Sequence, residues 1–426
     1  MMQPKKVTMV IAGLGERGKN IYANYAIEHP EEIEVVGIAD ASADRLASAQ
    51  KALNLPDACC FSSAEELFAQ PKMAMAAAIC TQDRQHVAHA KLALTQKYHL
   101  LLEKPVAVDI AGCFEVLHMA AAQKCNVTVC HVLRYTPFYN TIKSIIMDGK
   151  IGEVVNIQAM EQVGYWHFAH SYVRGNWRRS DESCPMILAK CSHDMDILLW
   201  LSGKHAKRVS SYGSNYLFRA DKAPAGAAAR CLDCAVRSDC PYDAVRYYLE
   251  DSHTGVSGGC VHWPINVLDP NPTCATIKQA LRDGPYGRCV YHCDNDVVDH
   301  QVVNIELEDG VTINFTVSAF SERCYRTIKV MGTKGCIEGN IDTNMIRWSN
   351  FFGESKEMDI HALDATLAGH GGGDALMMKE FVQLLAEDAD EKMQSSIEQS
   401  IESHVVALLA EESRLHQGES LTVKMD

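Results

Sequence analysis

A glycine-rich turn near the start of the chain constrains the fold more than any other feature. An apolar, β-branched run, Val7–Ala12, ends at three closely spaced glycines, and a segment compatible with a helix follows. In this setting the first glycine permits a tight turn, the second admits a diphosphate, and the third lets the helix pack closely on the strand. The free N–H groups of such a helix bind phosphate oxygens. The turn therefore predicts a dinucleotide site that includes Gly13, Gly15, Glu16, Arg17 and Gly18.

An acidic residue follows the second predicted strand, Ile33–Ala39. Asp40 stands at the spacing of about 20 residues from the last glycine that is expected of the acid on the adenosine ribose. Its carboxylate would repel a 2′-phosphate, and Ala41 offers no cation to hold one, so the sequence favours NAD over NADP. The alternative interpretation is a glycine turn in another kind of α/β protein.

Predicted strands and helices alternate regularly as far as residue 131, which indicates a parallel sheet covered on both faces. Ligands of such sheets bind at the carboxyl ends of the strands. The residues expected at that edge are Thr81, His86, Glu103 and Lys104. From Val154 onward several predicted strands alternate apolar with polar residues, and Glu308–Gly310 is a hairpin signal.

The predicted fold class is therefore α/β. A doubly wound parallel sheet of the Rossmann type (residues 1–131) precedes an α/β domain (residues 132–426) with an open-faced, mostly antiparallel sheet. An insertion rich in cysteine interrupts the second domain at about residues 219–297.

Composition excludes several classes of partner. The 426 residues carry a formal net charge of −14, which argues against non-specific binding to nucleic acid or to an anionic membrane. No apolar run approaches the ~18 residues that span a bilayer. The chain enters its first strand almost at once, so we expect no signal peptide. Seventeen cysteines indicate reduced thiols and a cytoplasmic location.

Four motifs together resemble the Gfo/Idh/MocA family of NAD(P)-dependent sugar oxidoreductases. They are Gly13–Gly18, Glu103-Lys104-Pro105, Arg134–Pro137 and Cys191–Asp196 continuing to Gly203. The resemblance implies a Rossmann domain followed by a substrate domain. The helical motif of the family usually reads Asp-x-Gly-x-His-x-x-Asp, whereas Ala189 and Cys191 stand at its first Asp and its Gly. One member of the usual Lys-Asp-His catalytic set is therefore missing.

Oxidation of a hydroxyl requires a base for the O–H proton beside the nicotinamide. Lys104 suits this role, because desolvation and a nearby nicotinamide cation would both lower its pKa. Lys190, His193 and Asp196 follow at positions i, i+3 and i+6, and we expect them on one face of a helix, Met186–Leu201. We assign His193 as the general acid/base or as the group that holds the reacting hydroxyl. We assign Lys190 as a catalytic or substrate-binding group, and Asp196 as an orienting group. The alternatives are a surface lysine and a core histidine.

Residues 165–178 are dense in aromatic rings and hydrogen-bond donors, the mixture that sugar sites use. An aromatic mini-core beneath a loop would have the same composition. The residues predicted to bind substrate are Arg134, Tyr165, His167, His170, Arg174, Trp177, Asp196 and His370. For the motif that begins at His370 the alternative is a helix start capped by Asp374.

The insertion contains a metal-binding pattern. Cys231 and Cys234 form a Cys-x2-Cys pair, and Cys240 and Cys289 complete a set of four for a structural Zn²⁺. Cys293 or His292 is an alternative fourth ligand. An iron–sulfur cluster and a coincidence of free thiols are the other interpretations.

We therefore expect an NAD-dependent oxidoreductase acting on a secondary hydroxyl of a sugar or glycoside, with the resemblance indicating C3. The alternative is an NAD-dependent glycosidase, in which transient C3 oxidation permits elimination and the hydride then returns. Tyr165, His167 or Lys190 would be its extra base. A third class is a catalytically silent, NAD-sensing scaffold. The open sheet face predicts a homodimer or homotetramer.

Overall fold

Two β-sheets organise the chain in the computed structural model, which describes residues 5–361, 372–387 and 392–425. The first sheet contains β1 (Val7–Ala12), β2 (Ile33–Ala39), β3 (Cys60–Phe61), β4 (Ala76–Ile79), β5 (His99–Leu102) and β6 (Val127–Val129). Its strand order is β3-β2-β1-β4-β5-β6, and every pair is parallel. This order confirms the predicted doubly wound Rossmann sheet.

Helices cover both faces of this sheet. A π-helical stretch, Glu16–Ala23, continues into α1 (Asn24–Glu28), and α2 (Ala43–Leu53), α3 (Ala64–Ala69), α4 (His86–Thr95) and α5 (Ile110–Gln123) follow. One apolar cluster joins Met9 and Ile11 of β1 to Tyr22, and a second joins Val10 to helices on the opposite face. Successive side chains of β1 therefore enter opposite cores, as expected of a strand buried on both faces.

The second sheet has nine strands. They are β7 (Val154–Gly164), β8 (Ala206–Ser214), β9 (His300–Leu307), β10 (Thr312–Ser321), β11 (Tyr325–Gly332), β12 (Gly335–Asn340), β13 (Met345–Asn350), β14 (Ser355–Asp359) and β15 (Leu421–Thr422). The order is β14-β13-β12-β11-β7-β10-β9-β8-β15. The pair β7–β10 is parallel and its neighbours are antiparallel, so the sheet is mixed and mostly antiparallel, as predicted.

One face of the second sheet carries the main core of this half. Inward side chains such as Ile157, Phe315 and Val330 are fully buried in one cluster with residues of the covering helices. The remaining helices are α6 (Pro137–Met147), α7 (Tyr165–Phe168), α8 (Met186–Ala189), α9 (Ser192–Ser202), α10 (Ile265–Leu268), α11 (Cys274–Asp283), α12 (Gly373–Glu387) and α13 (Ile397–Leu415). The other face presents polar and half-buried residues around a groove of about 650 Å³.

The last helices return to the first sheet. Met377, Met378 and Phe381 of α12 are fully buried in the cluster with β1, and Ile397 and Ile401 of α13 join the cluster on the opposite face. The segment between β8 and β9, which contains the cysteines, has a small core of its own that includes Tyr248, Ile277 and Leu281. Among the described residues, no helix combines the length and apolar composition needed to cross a membrane.

Candidate active site

The glycine turn has the geometry that a dinucleotide requires. Gly13 has φ +94°, and a Cβ on it would lie 2.4 Å from the carbonyl oxygen of Cys80. A Cβ on Gly18 would lie 1.9 Å from the carbonyl oxygen of Gly13. A Cβ on Gly15 would meet no atom within 4 Å. Gly13 and Gly18 are thus required by the fold itself, whereas the space beside Gly15 is free for a diphosphate.

Asp40 ends β2 beside this turn. Its carboxylate accepts from the backbone N–H groups of Leu14 and Ser42, both at 2.7 Å, and from Arg45 Nη2 at 2.8 Å. Burial raises the pKa of Asp40, but Arg45 and the backbone donors outweigh it, and the pKa lies below its usual value. Arg45 was not expected at this position, and it neutralises the acid that the sequence assigns to the ribose.

Arg17 joins three parts of the chain. Its Nε donates to Glu103 Oε1 at 2.6 Å, and its Nη2 donates to Asp374 Oδ1 at 2.6 Å and to Tyr22 Oη at 2.7 Å. Tyr22 Oη also donates to Glu103. Arg17 and Glu103 therefore hold the glycine turn against the end of β5. Glu16, by contrast, is exposed and accepts from Asn20.

His86 connects the loops that follow β4 and β5. Its Nδ1 lies 2.6 Å from the carbonyl oxygen of Pro105, and its Nε2 lies 3.0 Å from that of Thr81. The Thr81 hydroxyl lies 2.9 Å from His89 Nδ1. These contacts fix the two loops between which a nicotinamide would lie.

Lys104 is half-buried at the end of β5 and contacts the end of α8. Its Nζ donates to the carbonyl oxygen of Ala189 at 2.8 Å, which brings the end of β5 to the junction of α8 and α9. Burial lowers its pKa below the usual value; Glu103 and Asp83 oppose this shift, and the charge of Lys190 adds to it. A lysine with a lowered pKa at this edge can exchange a proton with a bound hydroxyl.

The prediction of one continuous helix over Met186–Leu201 is wrong. The structure divides it into α8, which ends at Ala189, and α9, which begins at Ser192. Lys190 lies in the break, and its Nζ reaches Glu161 Oε1 at 3.1 Å. Backbone hydrogen bonds of the helical type continue as far as Cys191, and the carbonyl of Ala189 accepts from Lys104 at the break.

His193 and Asp196 lie on α9 and are both buried. The ring centroid of His193 lies 5.7 Å from that of His131. Asp196 accepts two hydrogen bonds of 2.7 Å from the guanidinium of Arg134, whose Nη2 also donates to the carbonyl oxygen of Gln399. The structure therefore pairs Arg134 and Asp196 with each other and ties them to the C-terminal segment.

Three charged residues that were not predicted from the sequence, Glu161, Asp194 and Arg326, complete a buried network. Glu161 Oε2 lies 2.9 Å from Arg326 Nε, and Arg326 donates to Asp194 at 2.7 and 3.1 Å. With Lys190, the network contains two cations and two carboxylates. The available signal was a single glutamate at an inward position of a strand, where a charge requires a partner.

The aromatic segment divides between two locations. His167 lies against Cys324 and Trp263; burial, and next the charge of Lys190, lower its pKa well below the usual value. Trp177 donates from Nε1 to Asp83 at 3.0 Å and so closes on the loop after β4. Tyr165 lines a cleft beside the insertion.

The other predicted substrate residues lie elsewhere. His170 turns into the insertion, where its Nδ1 lies 2.8 Å from Tyr248 Oη and its ring stacks on Tyr286. Arg174 also points into the insertion. His370 lies outside the described residues.

Cys231, Cys234, Cys240 and Cys289 line one small cavity with Arg174. The buried guanidinium of Arg174 donates to Tyr242 O at 2.7 Å and Arg288 O at 2.8 Å, and it lies 3.6 Å from Cys231 Sγ. Within the described ranges, the one group of ligand atoms at mutual metal-binding distances is the acidic cluster His29, Glu31 and Glu32. The four thiols thus converge without being drawn together to ligand spacing.

Comparisons with known proteins agree with this architecture. Residues 7–131 match the NAD-binding Rossmann fold of the GFO_IDH_MocA oxidoreductase family, and residues 143–423 match the C-terminal alpha/beta domain of that family. The oxidoreductase YteT of Bacillus subtilis is 23% identical over 399 residues, which is 87% of each chain.

Two solved structures show the same fold. A levoglucosan dehydrogenase in complex with NADH and L-sorbose has a TM-score of 0.72 at 16% identity, over 99% of this chain and 100% of that one. An NAD-binding oxidoreductase from Klebsiella pneumoniae has a TM-score of 0.71 at 15% identity, with the same coverage.

Proposed function

Because the chain belongs to the Gfo/Idh/MocA oxidoreductase family and is an NAD-dependent oxidoreductase, we propose that it oxidises a secondary hydroxyl of a sugar or glycoside, at C3. The contact of Lys104 Nζ with Ala189 O carries this proposal. It brings a lysine of lowered pKa from the cofactor domain to the polar break between α8 and α9. The levoglucosan dehydrogenase among the structural neighbours supports a sugar substrate.

In this mechanism the neutral amine of Lys104 accepts the hydroxyl proton as the carbonyl forms. NAD supplies the acceptor for the hydride that leaves the same carbon. The free space at Gly15 and the carboxylate of Asp40 would hold its diphosphate and ribose. His193 would position the reacting hydroxyl, and Lys190, held by Glu161, would bind a neighbouring one.

Tyr165 and His167 would contact the sugar ring from the side of the insertion, and Trp177 would close the site above the loop at Asp83. Arg134 and Asp196 act in this proposal as a positioning pair, since each satisfies the other. The missing family aspartate is compensated by the backbone carbonyl of Ala189, which orients Lys104 without adding a charge.

A panel of free sugars and glycosides, followed at the absorbance of NADH, tests the proposal. Lys104→Met should lower kcat/KM by about a thousandfold, as expected for loss of a general base. Lys51→Met, at an exposed lysine on α2, is the matched control and should retain activity. Full activity of Lys104→Met would contradict the assigned base.

The redox-neutral glycosidase remains the second candidate, favoured by the extra basic groups Lys190 and His167 near Lys104. Oxidation at C3 acidifies the C2 proton, one of these bases removes it, the aglycone leaves, water adds and the hydride returns. Release of aglycone without net NADH would support this candidate. Net NADH without aglycone release would support the dehydrogenase.

We also propose that the four insertion cysteines bind a structural Zn²⁺. Their convergence on one cavity supports this, and so does Arg174, a buried cation among thiols whose charge a tetrathiolate site would offset. All 17 cysteines are unpaired, which suits a reducing, cytoplasmic setting. Elemental analysis should find about one zinc per chain, and Cys234→Ser should lose it. A protein purified free of metal and equally stable with zinc or chelator would contradict this site.

The face of the second sheet that no described helix covers is, in our proposal, the contact between copies in a homodimer or homotetramer. Thr316 and Asn314 lie near its centre on β10. Light scattering should give two or four chains, and Thr316→Arg should shift the mass towards one. A monomeric wild-type protein would contradict the proposal.

A further inference from the structure

A cleft beside the insertion is not explained by oxidation of a single sugar ring. It has a volume of about 480 Å³, within the range of small-ligand sites. Its walls come from α7, from the insertion and from the turn between β10 and β11. The side chains that matter for its chemistry are Tyr165, Trp166, Arg246, Tyr247, Trp263 and Glu322.

The aromatic rings of this cleft remain accessible. Trp166 and Tyr247 stack with centroids 5.7 Å apart and planes 17° apart, and Trp263 meets Trp166 edge-on at 5.8 Å. Trp263 is 36% exposed although it is the largest type of side chain. A sealed aromatic mini-core would bury this ring, so the cleft has the open apolar surface on which the C–H face of a sugar stacks.

The polar rim of the cleft is balanced in charge. Arg246 and Arg323 contribute cations, and Asp251 and Glu322 contribute carboxylates. Such a rim offers both donors and acceptors for hydroxyl groups. It has no surplus charge to select a phosphate or a carboxylate, so the chemistry fits a neutral, polyhydroxylated ring.

The cleft adjoins the candidate active site. Its wall at Tyr165 and Trp166 continues β7, whose Glu161 holds Lys190. The next residue, His167, lies 5.0 Å from Trp263 between ring centroids, and its Nδ1 lies 3.3 Å from Cys324 Sγ. His167 therefore borders the cleft on the side where β7 leads to Glu161 and Lys190.

We infer that the cleft is a second sugar subsite, and that the preferred substrate is a glycosidically linked saccharide rather than a monosaccharide. This inference rests on the proposed function and extends it. One ring lies at Lys104 for oxidation, and the ring joined to it stacks on Trp263 and Trp166. The insertion thus sets the length of the substrate.

The test compares monosaccharides, disaccharides and aryl glycosides with wild-type protein and Trp263→Ala. Binding is followed by tryptophan fluorescence and oxidation by NADH absorbance. We expect Trp263→Ala to weaken disaccharide binding at least tenfold while monosaccharide kcat/KM and NAD binding stay unchanged. Trp263→Phe, which retains an apolar face, should recover most of the loss. Phe352→Ala, an aromatic exposed on the distant β13–β14 turn, is the control and should change nothing.

The outcomes separate the two claims. Monosaccharide oxidation with no tighter binding of disaccharides, or with equal losses for both in Trp263→Ala, would overturn the subsite and leave the dehydrogenase intact. A preference for aryl glycosides over disaccharides would also overturn it, because the polar rim would then be unused. Disaccharide binding that depends on Trp263 without any hydride transfer would support the subsite and refute the proposed oxidation.

Discussion

Alanine at two glycines of the same turn should separate binding of NAD from folding. At Gly15 the backbone has φ −71° and ψ −158°, which an alanine adopts, and its Cβ would meet no atom within 4 Å. Without NAD, Gly15→Ala should therefore be as stable as wild type, or more stable by about 0.4–1 kcal/mol. At Gly18 the new methyl would lie 1.9 Å from a carbonyl oxygen of Gly13. Gly18→Ala should lose about 1–3 kcal/mol even without cofactor.

Added NAD should then stabilise the wild-type protein much more than Gly15→Ala. At a concentration of 100 times its Kd, NAD stabilises a wild-type protein by about 2.7 kcal/mol, whereas hundredfold weaker binding leaves about 0.4 kcal/mol. The methyl at Gly15 occupies the approach of the diphosphate, so we expect Gly15→Ala to lose most of this increment. Urea unfolding with and without NAD measures both quantities. Full NAD stabilisation of Gly15→Ala would refute the assignment of this turn to the cofactor.

Four further changes follow from the structure. Because Lys104 must be neutral to accept a proton and burial lowers its pKa, kcat/KM should rise with pH through a pKa below 10.5. Lys104→Arg should remove this rise. An unchanged rise in the variant would contradict the role of Lys104. Asp40→Ser should release Arg45 and lower the NAD:NADP preference in kcat/KM about tenfold. An unchanged ratio would contradict the assignment of Asp40 to the adenosine ribose. Burial lowers the pKa of His404 to about 3, so between pH 6.5 and that value only the unfolded chain takes up this proton. This group alone should therefore lower the free energy of unfolding by about 1.4 kcal/mol per pH unit on acidification. Urea unfolding at pH 7 and pH 5 should show a smaller loss for His404→Gln than for wild type. Arg326→Met should cost about 3–5 kcal/mol because the buried carboxylate of Asp194 loses its partner and that of Glu161 keeps only Lys190. Arg347→Met on the exposed sheet should cost little.

The cofactor half of the fold was predictable because its signals are local. The glycines follow one strand, Asp40 follows the next, and apolar runs alternate with helical segments at short range. The second sheet was predicted only in part. Strand β8 and the hairpin β13–β14 were missed, since β8 buries few residues apart from Ala206, Val209 and Ser211 and reads as a polar segment.

The site was harder to predict because its partners are distant in sequence. Glu161 and Arg326 acquire their roles only when β7 and β11 pair. Lys104 reaches the break after Ala189 from 85 residues earlier in the chain. His170 and Arg174 belong to a segment that suited a sugar site by composition, but the insertion supplies closer partners for both.

Arg17 has a consequence for any attempt to divide this enzyme. It fastens the cofactor turn to Glu103 in the first half and to Asp374 near the other end of the chain. Just beyond Asp374, α12 places Met377 and Phe381 against the first sheet. A fragment that stops at residue 131 would expose the apolar surface that α12 covers, and Arg17 would lose the carboxylate of Asp374. The dinucleotide-binding domain is thus contiguous as a sequence motif, but its fold is complete only when α12, from near the C-terminus, packs on the first sheet.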